Sequence, residues 1–155
     1  MAAPTESLVA DLLGKEGVEL RRFIDLLERE QSFLTQGDLN PLLSIAEEKS
    51  AAAERLGQLS AKREGQLAAE GCAGDMGAWL AKPGRQTLAK PWQTVIDLAG
   101  KAKHLNETNG KLIALRFQHN QQALATLLAA ADQAMTYGPD GQQRAPGGGR
   151  TLGSA

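Results

Sequence analysis

Aromatic side chains are scarce in this chain: one tyrosine, two tryptophans and three phenylalanines in 155 residues. Against abundant Ala, Leu, Gln and Glu, that scarcity favours helices over sheets. Cysteine is scarcer still. Cys72 stands alone, which excludes an internal disulfide framework; it fits a reducing compartment and is expected to be a small, inert residue. There is no excess of one charge sign, the formal net charge being −1, whereas a nucleic-acid binder would carry a basic stripe. No stretch approaches 18 uncharged apolar residues, so no membrane span is expected. The opening MAAPTESLVADLLGKEG has early acids and no unbroken apolar core, unlike a secretory signal. The expected location is the cytoplasm. The length suits one domain with a modest core.

Convergent catalytic groups are missing as well. No Glu-x-x-His pair is present, so a carboxylate-bridged di-iron bundle has no support. His104 and His119 lie about four helical turns apart, too far to share a metal on one straight helix. NGKL at Asn109–Leu112 lacks the glycine spacing of a phosphate loop, and PGGGR near the end has neither a strand before it nor a helix after it. No enzymatic activity, metal or cofactor is expected.

What is there is helical periodicity. Thr5 is a candidate N-cap, with Glu6 in the first turn where the helix dipole favours an acid. Val9, Leu13, Leu20, Phe23, Leu27 and Leu34 then keep one seam, with Glu16 and Glu30 as its polar members. Leu8, Leu12, Ile24 and Leu26 widen that stripe, as packing against two partner helices requires. Gly37 stops the helix. A second helix starts at Asp38 or Asn40, with Pro41 in its first turn. Its stripe reads Leu42, Ala46, Lys49, Ala53, Leu56, Ser60, Arg63, Leu67, with Lys49 and Arg63 placed to snorkel, and Gly71 ends it. Glycine and proline punctuate 71–91, where Asp75 can cap a short helix and Trp79 can plug one end of a bundle.

The third helix is the longest. From Lys90-Pro91 a three-four alternation holds through Ala134, with Leu98, Leu105, Leu112, Phe117, Leu124 and Leu128 in a second stripe beside it. The reading is an all-α fold: an antiparallel bundle of three long helices with a short helical insert between the second and third. It spans 5–134, followed by a flexible Gly/Pro-rich tail over 135–155.

The segment His104–Leu124 is unusual because Asn106, Asn109, Arg116 and Asn120 hold seam positions where leucine would stabilise more. Buried amides need partners, at about 1–3 kcal/mol each if left without. Polar seam residues fix register; equally, the seam is left for a partner helix, which would cover Ile113, Phe117, Leu124 and Leu128. Gly110 in this segment would admit a close neighbour. Tyr137, the lone tyrosine, stands where the helical pattern meets the Gly/Pro-rich tail, and its plain reading is a helix-end plug.

LNETNGKLI (105–113), HNQQAL (119–124) and YGPDGQ (137–142) together resemble the FlgN family of flagellar export chaperones. A first helix ending in Gly37-Asp38 and IAEEKSA at 45–51 agree in outline, so the resemblance covers 5–142. It implies a cytoplasmic helical bundle that binds C-terminal helical segments of the hook-filament junction proteins FlgK and FlgL and delivers them to the export gate. On the seam reading above, substrate contacts are expected along Asn106, Asn109, Ile113, Arg116, Phe117, Asn120, Leu124 and Leu128; the resemblance implies docking of Tyr137 on the cytoplasmic domain of the export-gate protein FlhA. The competing expectation is a structural spacer whose seam serves self-association.

Overall fold

A computed structural model describes residues 4–136. The fold is all-α: α1 (Pro4–Gln36), α2 (Leu42–Ala69), the short α3 (Met76–Leu80), one 3-10 turn (Gln86–Leu88) and α4 (Ala89–Thr136). No strand occurs among the described residues. Three long helices and a short helical insert match the sequence reading. By compactness the chain falls into two units, Met1–Ile113 and Ala114–Ala155.

Both hairpin helices end as their glycines dictate. At α1 the N–H of Asp38 reaches the carbonyl of Phe33 (3.0 Å) and that of Gly37 reaches Leu34 (3.3 Å). At α2 the N–H of Cys72 reaches Leu67 (2.9 Å) and that of Gly71 reaches Ala68 (3.0 Å). These are Schellman closures, which need a left-handed residue, and Gly37 and Gly71 supply φ of 74° and 75°. The starts differ from expectation. Pro4, not Thr5, opens α1, because a first-turn residue has no intrahelical use for its N–H. α2 begins at Leu42 with Pro41 at the cap and no side-chain cap bond. The Asp38 carboxylate instead accepts the N–H of Asn40 at 3.3 Å, bracing the turn.

In the first unit α2 runs antiparallel to α1 and α4. Glu16 pairs with Arg63 while Glu30 pairs with Lys49, and Lys49 reaches Asn106 while Arg63 lies over Trp92. The core draws Val9, Leu13, Leu20, Ile24 and Leu27 from α1, Leu67 from α2, and Val95 and Ala102 from α4. Leu12 and Leu26 are buried as the widened stripe required, but Leu8 is exposed. The early stripe of α2 is shifted by one residue from the expected one: Ile45 and Ala52 are buried, Ala46 and Ala53 exposed. An alanine-rich run fixes no face by itself, and the branched Ile45 decides it.

The insert closes one end of this unit. Asp75 caps α3, its Oδ1 accepting the N–H of Ala78 at 2.8 Å, and Trp79 is fully buried. Arg85 lies 4.0 Å over the Trp79 ring and ion-pairs with Glu70, the C-cap of α2, at 2.6 Å and Glu6 of α1 at 3.7 Å. Its guanidinium thereby ties α1, α2 and α3 at one point. Hydrogen bonding from Arg85 holds the Glu70 carboxyl below its ordinary range. Lys82 adds to this, and desolvation opposes it.

Candidate partner-binding surface

The polar seam of α4 resolves residue by residue. Asn109 is fully buried. Its Nδ2 donates to the Leu27 carbonyl and to Glu30 Oε2, both at 2.8 Å. Glu30 also accepts from Lys49, so one carboxylate gathers α1, α2 and α4. Asn109 therefore serves register inside the unit and presents nothing to a partner in this fold. Asn106 is exposed, with its Oδ1 accepting from Lys49 Nζ at 3.1 Å. The expectation of a close neighbour at Gly110 fails: a Cβ there would meet open space. Ile113, the last residue of the first unit, is exposed.

In the second unit Phe117, Leu124, Leu127, Leu128 and Met135 are all exposed, Phe117 at 63%. Helical spacing puts these five and Asn120 within one arc of about 100°. Arg116, at the edge of that arc, is half-buried. Met135 belongs to this apolar stripe although the sequence reading assigned it to the tail; its spacing of seven from Leu128 was the available signal. Of the tail expected over 135–155, Met135 and Thr136 belong to α4, and residues 137–155, Tyr137 among them, lie outside the described residues.

His104 and His119 are exposed. Among the described residues no group of three or more His, Cys, Asp or Glu is gathered as a metal would need. No described helix is long and apolar enough to cross a membrane.

Fold and surface define the class: an all-α bundle whose long last helix carries an apolar stripe open to solvent. A model of the FlgN protein family matches residues 1–145. The flagella synthesis protein FlgN of Proteus mirabilis is 31% identical over 126 residues, covering 80% of this chain and 82% of that protein. Those of Yersinia enterocolitica and Salmonella typhimurium are 29% and 28% identical, each covering at least 85% of both chains. No solved structure matches the chain. The chain belongs to the FlgN family, which is one of flagella synthesis and not a known enzyme family.

Proposed function

We propose that this FlgN-family protein is a cytoplasmic chaperone of flagellar type III export. It covers the C-terminal helical segments of the junction proteins FlgK and FlgL and brings them to the export gate. The reading is carried by the exposed apolar stripe of Phe117, Leu124, Leu127 and Leu128 in a member of a flagella synthesis family. An amphipathic helix laid along that stripe would bury large side chains worth about 1.5–3 kcal/mol each, before ordering costs. Ile113, Arg116 and Asn120 extend the same face in sequence, and Asn106 flanks it with a polar group. Tyr137 is assigned to docking on the cytoplasmic domain of FlhA, on its place in YGPDGQ.

The test is titration of the purified protein with C-terminal fragments of FlgK and FlgL. Binding at micromolar concentration or tighter is expected, and no complex with either fragment rejects the proposal. An exposed apolar stripe also suits self-association, the spacer reading. Light scattering separates the two: a tight homo-oligomer indifferent to both fragments favours the spacer.

A further inference from the structure

A groove of about 460 Å³ runs between the outer faces of α1 and α2, and its lining comes from those two helices alone. Val18, 49% exposed, and the half-buried Leu59 form its apolar floor. Four cations stand along it: Lys15, Arg22, Arg55 and Lys62. Their aliphatic stems extend the floor while their heads remain in water.

Among the described residues two carboxylates answer these cations. Asp11 pairs with Lys15 at 2.7 Å. Glu19 is shared by Arg22 at 3.4 Å and Arg55 at 2.7 Å. Lys62 has no ion pair among the described residues. Each guanidinium carries five N–H donors, far more than one shared carboxylate accepts. The groove thus holds an excess of two positive charges in a chain whose formal net charge is −1. On α1 the wall recurs at Asp11, Lys15, Val18 and Arg22, a spacing of four, three and four that keeps one face over three turns, about 16 Å.

We propose that this groove is a docking site for an acidic amphipathic helix of another protein. Aliphatic residues of that helix seat on Val18 and Leu59, and its carboxylates meet the four cations. A nucleic-acid strand fits less well. It would leave the apolar floor uncovered, and the groove offers no aromatic ring for bases to stack on. The site lies wholly within the first unit and is independent of the stripe on Phe117–Met135.

The experiment is fluorescence anisotropy on the full chain with labelled 14-residue helical peptides: one with a leucine stripe flanked by glutamates, one with lysines replacing the glutamates, and one with the glutamates but the leucines scrambled. A single-stranded oligonucleotide is the fourth probe. The acidic amphipathic peptide is expected to bind at least about tenfold more tightly than the other three, and more weakly as salt rises. Lys15→Glu with Lys62→Glu should weaken it by at least about tenfold, and Val18→Ser by severalfold, while Leu43→Ser, exposed on α2 outside the groove, leaves it unchanged. Circular dichroism verifies folding, and Lys62→Gln alone gives the same direction should the double variant unfold. Equal binding of acidic and basic peptides, indifference to these variants, or tighter binding of the oligonucleotide overturns the proposal. So does a homodimer that Lys62→Glu dissociates, which would make a second copy the occupant.

Discussion

Glu16 and Arg63 meet across the α1–α2 interface at 2.7 Å, 4% and 5% exposed respectively. Arg63 has further partners in Glu64 at 2.8 Å and the Trp92 ring at 4.7 Å, whereas Glu16 pairs with Arg63 alone among the described residues. Breaking a buried pair leaves an uncompensated charge and costs about 3–5 kcal/mol. Arg63→Met, which strands Glu16, should fall in that range by urea denaturation. Glu16→Leu should cost less, because Arg63 keeps Glu64. Replacing both together should recover most of the loss. A double variant as unstable as Arg63→Met would mean that the charge pair itself carries the interface.

Glu70 supplies a pH dependence. Its carboxyl titrates below the ordinary glutamate value because Arg85 and Lys82 hydrogen-bond the charged form. A lowered folded value stabilises the fold above the unfolded value, and that contribution is lost as pH falls through the lowered one. The difference in Tm between the protein and its Glu70→Gln variant should therefore be full at neutral pH. It should shrink only below the ordinary glutamate range, about pH 4.3. A difference that is constant down to pH 3 would assign the loss to packing instead.

Asn109 is the second buried polar group whose removal has a defined cost. Its Nδ2 makes two hydrogen bonds, while its Oδ1 has no partner among the described residues. The gain from the donors is thus partly offset by a desolvated acceptor. Asn109→Ala should lower stability by about 1–2 kcal/mol, read from the urea midpoint, and leave FlgK and FlgL fragment binding unchanged. A loss of fragment binding in a folded variant would return Asn109 to the partner surface.

Periodicity made the helices legible, with their glycine stops, the Asp75 cap and the buried Trp79. It also marked Glu16, Glu30, Lys49 and Arg63 as polar members of two seams. Their pairing was within reach: the two acids and the two bases are each fourteen residues apart, two heptads, as an antiparallel register of opposite charges requires. Coverage was not legible. Periodicity assigns Asn109 and Asn120 to one face of α4, but only tertiary packing says that the first is buried and the second exposed. The knot at Arg85 was hidden for another reason. Its partners Glu6 and Glu70 come from distant helix ends, and a Gly/Pro-rich stretch reads only as a breaker. The α1–α2 groove was hidden because alternating charges on a helix exterior read as a solvated face.

Phe117 and Tyr137 should separate the two proposed activities. Phe117 is 63% exposed, so Phe117→Ala should shift stability by no more than about 0.5 kcal/mol. If its ring anchors a client helix, that variant should bind FlgK and FlgL fragments at least about tenfold more weakly, the loss of one large buried side chain. Tyr137→Ala should do the reverse, with fragment affinity retained and binding to the cytoplasmic domain of FlhA reduced. Titrating both variants against the FlgK fragment, the FlgL fragment and FlhA gives six numbers, and only the crossed pattern fits a client surface distinct from the export-gate residue. Equal losses for both partners in either variant would merge the two sites into one. A large fall in Tm for Tyr137→Ala would instead make that ring a packed helix end.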